Sequence, residues 1–304
     1  MPDILGLNSG PIESSDIPLW VPDRLLHGAN GGVMGLFDLA YAPCFEGAAA
    51  GRSPVAGETI RDIATMLVDG SQSETTYNAV IDMDFEGGLP SYEGHGFDYS
   101  TATIIGSTVS VPNIAEHVTA QANQYWYQCL YVRLPIKANW HASGSIRPFT
   151  AYTTDAGGFQ AEPDLLTIGQ AYSANQLLRA VRTTSAGTYE QLQFTPFDAH
   201  FGQMAQILWW RDAAGIGLQL RTQAGGVQSI QGAAGVKTTQ NLAGKKWRSG
   251  LGRSFWPGTP PPAARFRLYR GWAEDVELSG RDARTVADQD WRRVMARPAH
   301  VAFS

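Results

Sequence analysis

Charge is scarce in this chain: Asp, Glu, Lys and Arg make up only 17% of its 304 residues, and cysteine occurs twice. Little charge leaves little material for long solvated helices and favours a chain of turns and sheet. The net charge of −5 argues against a general nucleic-acid binder, which needs a basic footprint. Cys44 and Cys129 lie far apart and make no disulfide framework; the expectation is two ordinary thiols in a protein made in a reducing cytoplasm. No basic leader with an apolar core opens the chain, and no run of 18 or more apolar residues occurs. Neither export nor membrane insertion is therefore expected. Also missing are His-x-x-His and Cys-x-x-Cys pairs, the G-x-S-x-G elbow of serine hydrolases and the G-x-x-x-x-G-K-[ST] phosphate loop.

What is present is glycine (33), proline (17) and a set of strand-like segments. At this length one large β domain with an appendage is as plausible as two equal domains. Tyr125–Leu134 is apolar on both phases, which predicts a central strand covered on both faces. Ile207–Arg211 and Ile216–Arg221 flank Asp212-Ala213-Ala214-Gly215 and read as a hairpin. Further strands are expected over Asn78–Glu86, Ile146–Tyr152, Leu177–Thr183 and Tyr189–Phe194. In the C-terminal stretch Ala264–Arg281, Phe266, Leu268, Trp272, Val276 and Leu278 share one phase, so an extended strand would put them on one face. Val286, Ala287, Asp290, Trp291, Val294 and Met295 then recur at helical spacing, with Thr285 and Asp288 as a capping box.

The chain divides near residue 75. Residues 1 to about 57 show little regular pattern yet carry Trp20, Leu25, Leu26, Phe37 and Phe45, too much apolar surface for a solvated tail. Such a segment is expected to pack on something larger, either the main domain or another subunit. It is assigned attachment and self-association into a homo-oligomer, and its deletion is expected to leave a folded sandwich over 76–304. Ile60, Ile63, Ala64, Leu67 and Val68 predict one short helix, with Thr59 and Asp62 at its start.

The ending RLYRGWAEDVELSGR, followed by an Asp-Trp helix, resembles the C-terminal signature of concanavalin-A-like (laminin-G-like) domains in tailed-phage and prophage virion proteins. Tyr125–Pro135, Ala205–Arg221 and Phe37–Ala64 fit the same layout in the same order, so the resemblance covers most of the chain. It implies an all-β fold: a concanavalin-A-like jelly-roll β-sandwich with an irregular N-terminal segment, one short N-terminal helix and a short C-terminal helix. It further implies a structural virion component, assembled in the host cytoplasm with other virion proteins. The first choice of position is a tail fibre, spike or baseplate periphery, binding host surface glycans, and the second a head decoration or head fibre. No enzyme activity and no cofactor are expected. Calcium occurs in some laminin-G-like domains, but no EF-hand-type loop supports it here.

Four groups of residues could carry chemistry. Asp82, Asp84 and Glu86 would share one face of a strand and resemble the Glu-x-Asp-x-Glu row of jelly-roll glucanases. A retaining hydrolase needs two carboxyls about 5–5.5 Å apart, whereas residues two or four apart on a strand are separated by roughly 7 or 13 Å. A solvent-facing polar side of the strand is the bland reading and is preferred. Glu274, Asp275 and Glu277 form a second carboxylate cluster with the wrong spacing for that row; with Arg270 they read as structural, Arg270 and Glu274 pairing or being turned outward by a bulge. Glu93, His95 and Asp98 offer metal-type ligands within six residues, and a plain loop is preferred. Tyr125, Tyr127, Tyr131 and Trp210 could present aromatic faces to sugar rings, against the alternative that they fill the core.

Overall fold

A computed structural model describes residues 25–26, 32–64, 77–83, 88–100, 107–140, 146–153, 166–172, 175–185, 187–233, 235–250 and 265–304. Among these residues sixteen strands occur: β1 Val33–Asp38, β2 Thr59–Ile60, β3 Ala79–Met83, β4 Ser91–Glu93, β5 Gly96–Asp98, β6 Ser107–Val111, β7 Trp126–Arg133, β8 Arg147–Thr153, β9 Leu166–Tyr172, β10 Gln176–Ser185, β11 Thr188–Phe194, β12 Met204–Asp212, β13 Gly215–Thr222, β14 Gly226–Gln231, β15 Lys246–Gly250 and β16 Arg267–Asp275. The α-helices are short: α1 Gly47–Ala50, α2 Ile114–Ala120, α3 Val276–Ser279 and α4 Ala283–Met295. The strands form two eight-stranded antiparallel sheets. One runs β14-β13-β12-β7-β16-β5-β4 with β1 also on β16, and the other β11-β10-β9-β8-β15-β6-β3-β2. The two sheets stack as a β-sandwich around one buried cluster.

β7 is the spine of the first sheet and shows why the fold has three layers at its centre. Its residues alternate between two faces, and every one from Trp126 to Val132 is buried. One face points between the sheets, where Gln128 Nε2 donates to Thr150 Oγ1 of β8 at 3.1 Å. Phe37 of β1 meets Trp247 of β15 in the same layer, with ring centroids 5.7 Å apart. The other face carries Tyr127, Cys129 and Tyr131, and α4 lies over it: Tyr131 stacks on Trp291 at 6.3 Å and on Trp272 at 6.3 Å. The expected central strand, the β12–β13 hairpin and the C-terminal helix are all found.

Several expectations fail. The last strand does not keep one phase, because a bulge falls between Leu268 and Arg270. Leu268 pairs with Val132 on the inter-sheet face, whereas Trp272 pairs with Cys129 under α4. Val276–Ser279 coils into α3, capped by the Asp275 carboxylate, which accepts from the Glu277 and Leu278 amides; Leu278 is left exposed. α4 is capped by Asp282, which accepts from the Thr285 amide, and not by a Thr285–Asp288 box. The helix expected from Ile60 is absent over its described part. Thr59 and Ile60 pair with Val80 and Ala79 of β3. Asp62 then fixes a turn by accepting from the Leu36, Ala64 and Tyr77 amides. The helical spacing of Ile60, Ile63 and Ala64 reflects three buried residues on an irregular path, not a helix face. Residues 65–68 lie outside the described residues.

The division near residue 75 does not separate two packing units among the described residues. β1 is hydrogen-bonded to β16, and Leu26, Phe37 and Phe45 belong to the same buried cluster as Trp209 and Trp272. Gly35 makes this close approach feasible. Its φ of +60° suits glycine, and an added Cβ would sit 2.9 Å from the Val111 and Ile114 side chains.

Candidate functional site

Three of the four aromatics expected to meet sugar are interior, and Tyr125 is half-buried. Tyr127 and Tyr131 are 0% exposed and Trp210 2%, so their faces are closed to solute. The Tyr127 hydroxyl bonds to Glu274, and Tyr131 donates to Asp290 at 2.8 Å. The Trp210 ring lies against Gly217 with the Arg284 guanidinium 5.8 Å from its centroid, while Tyr125 is covered by Arg211 at 5.4 Å.

The carboxylate groups are tied up in the same way. Asp82 pairs with Lys246 Nζ at 2.9 Å and Arg248 at 3.3 Å. Burial pushes its carboxyl up, but the Lys246 hydrogen bond and the Arg248 charge outweigh this and hold it below the usual carboxylate range. A carboxyl kept ionised is poorly suited to donating a proton. Asp84 and Glu86 lie outside the described residues. Glu274 is fully buried and bonded to Arg281, Asp275 caps α3 and pairs with His117 at 3.0 Å, and Glu277 accepts from the Asn123 amide at 2.8 Å. Arg270 bridges Asp38 at 2.6 Å and Asp290 at 3.1 Å. Of the metal-type trio, Glu93 and Asp98 pair with Arg267 and His95 bonds to the Ala302 carbonyl, so the three do not converge. Among the described residues no group of three His, Cys, Asp or Glu side chains could hold a metal.

The attachment residues divide. Phe37 and Phe45 are consumed by the sandwich core, as is Leu26. Leu25 is half-buried, its carbonyl accepting from Arg281 at 2.5 Å. Trp20 lies outside the described residues. Cys44 is buried and structural, its sulfur accepting the Asp38 amide and donating to the Arg61 carbonyl, each at 3.2 Å. Burial raises both thiols above their ordinary range, which opposes thiolate chemistry.

One open cleft carries a different residue set. It measures about 320 Å³ and sits where β5, β7 and β16 meet. The sheet register builds it: Arg267 lies directly opposite Asp98 on one side and Arg133 on the other. Arg267 grips Asp98 through Nε at 3.2 Å and a terminal nitrogen at 2.7 Å, and donates to the Ser304 carbonyl at 2.6 Å. Asp98 also accepts the Ser100 amide at 2.6 Å. Burial raises the Asp98 carboxyl, yet Ser100 and Arg267 together hold it below the usual range, so it remains an ionised acceptor.

The opposite wall is a loop stapled at two points. Leu134 N donates to Gln203 O at 2.9 Å and Gly202 N to Pro135 O at 3.0 Å. This fixes Pro135, Asn139 and Ile136 at the rim, where Ile136 is 57% exposed. The floor is firm, because Phe266 packs on Tyr99 at 5.1 Å and Phe149 at 5.0 Å. Acceptors (Asp98, Ser100), an amide (Asn139), guanidinium donors (Arg133, Arg265, Arg267) and apolar surface thus surround one small volume. Of these, only Asp98 stands out in the sequence, and for another role. The available signal was Arg265 and Arg267 on one phase beside Phe266; Arg133 joins them only through the register.

No family model matches the chain, and no curated protein does either. Solved structures do resemble it. One is botulinum neurotoxin type C, whose passage into cells depends on interaction with two ganglioside molecules, at a TM-score of 0.51 and 10% identity over 86% of this chain. The chain spans about half, 51%, of that structure's length. The likeness shows the sandwich fold. A carbohydrate-binding module of the Ruminococcus gnavus IT-sialidase, bound to α2,3 sialyllactose, aligns at TM-score 0.36 and 15% identity, covering 64% of this chain and 95% of the module. A module from the evolved Dit of Lactobacillus casei BL23 phage J-1 aligns at 0.36 and 9% identity, covering 62% of this chain and 79% of that one.

Proposed function

We propose that this chain is a non-enzymatic glycan-binding sandwich of a tailed-phage virion, seating a short saccharide in the cleft between β5, β7 and β16. The cleft carries this reading. A sugar offers vicinal hydroxyls that need donors and acceptors together, and C–H surface that prefers apolar contact; Asp98, Asn139, Ser100 and Ile136 supply each within one site. Its volume of about 320 Å³ suits a sugar or two rather than a long chain. The ganglioside dependence of the type C toxin, on a similar sandwich, agrees with this reading, as does the resemblance of the chain's ending to phage virion domains. Host surface glycan is the proposed partner, with display at the tail periphery.

The test is a glycan array followed by calorimetry on the full chain. Asn139→Ala should weaken binding about tenfold, the loss of one well-placed hydrogen bond, with an unchanged melting midpoint. An array on which the wild-type chain binds nothing refutes the glycan reading. Antibody labelling of intact particles should mark the tail tip; labelling confined to the head would assign the chain to head decoration.

A further inference from the structure

We infer that the saccharide is acidic, its carboxylate or sulfate seated between the Arg133 and Arg265 guanidinium groups; this rests on the cleft being the glycan site. Three arginines line it against one aspartate, although the chain as a whole carries −5. The single aspartate is already gripped by Arg267, whose remaining donors reach Glu93 and the Ser304 carbonyl. Arg133 stands directly opposite Arg267 across β7 and β16, and like charges at that spacing repel. Arg265 sits two residues before Arg267 and is exposed like Arg133. No carboxylate of the described residues pairs with Arg133 or Arg265.

A further arginine adds to the excess. Arg147 is held below its ordinary value, first by burial and then by the Arg265 charge, and its Nε is buried without a partner. Cations crowded together with no carboxylate partner among the described residues favour whatever anion the cleft admits. A guanidinium presents a planar fork that matches a carboxylate or a sulfate ester through two parallel hydrogen bonds. The small volume and the negative net charge exclude a long polyanion tracking across the surface, leaving a short acidic segment of a glycan.

Calorimetry on the full chain with three probes decides this: a trigalacturonate, its carboxyl-reduced neutral counterpart and a sulfated galactotriose. One acidic form should bind about tenfold or more tighter than the neutral one, and added salt should weaken the acidic form alone. The exposed pair Arg133→Gln and Arg265→Gln should lower acidic binding to the neutral level without moving the melting midpoint. Whichever acidic probe binds tighter identifies the anionic group. Equal binding of all three probes, with Asn139→Ala weakening each, overturns the acidic assignment and leaves the glycan reading intact. An acidic preference that survives the double Gln variant overturns the placement at these arginines.

Discussion

At the residue scale, the face of the first sheet beneath α4 is held by buried ions as well as rings. Asp38 Oδ2 takes both Arg270, at 2.6 Å, and Arg297, and Arg270 continues to Asp290, which accepts from Tyr131. Burial raises the Asp38 carboxyl, but the charges of Arg297 and then Arg270 outweigh it and bring it below the ordinary 3.8. A depressed carboxyl contributes stability above its unfolded value and loses it as pH falls through the folded value. Arg270→Ala takes one guanidinium from Asp290 and one from Asp38, so it should cost about 3–5 kcal/mol at neutral pH. In urea titrations the deficit should shrink as pH falls below about 4, where Asp38 of the unfolded chain takes up a proton before that of the folded chain does; a deficit independent of pH would show that the ion pair is not its source. The sequence placed Arg270 and Glu274 on an apolar phase and required partners for them. It could not say which, because Asp38 and Asp290 reach Arg270 only through the fold.

At the element scale, legibility followed length and pattern. β7, the β12–β13 hairpin and α4 declare themselves because each runs long enough for its period to show. β1 does not, since Val33, Met34, Leu36 and Phe37 are apolar on both phases and the short run is broken by Gly35 and ended by Asp38. The β4–β5 hairpin hid behind Gly94, His95 and Gly96, which read as a plain loop. The β12–β13 hairpin contains a close fit that only packing reveals: an added Cβ on Gly217 would lie 1.9 Å from the Trp210 ring. Gly217→Ala should therefore destabilise the fold by about 1–3 kcal/mol through overpacking, read as a lower urea midpoint at unchanged slope. An unchanged midpoint would mean that Trp210 has room to move.

At the scale of the whole molecule, the N-terminal strands belong to the sandwich. Removing residues 1–75 strips β1 from β16 and β2 from β3 and uncovers Phe97, Trp247 and Trp272 of the shared core. The truncated chain should lose cooperative unfolding and bind a hydrophobic dye, by circular dichroism and fluorescence. A folded, dye-silent remainder would restore residues 1–75 as a separate attachment unit. Composition and periodicity by themselves determined that the chain makes sheet, that β7 is covered on both faces and that the ending closes with a helix, because burial of apolar side chains acts on local alternation. Which surface covers β7, whether Tyr131 meets solvent or Trp291, and which arginines share a cleft were decided only by the tertiary structure. Strand register and the bulge in β16 set those distances, and both depend on pairing between residues more than a hundred positions apart.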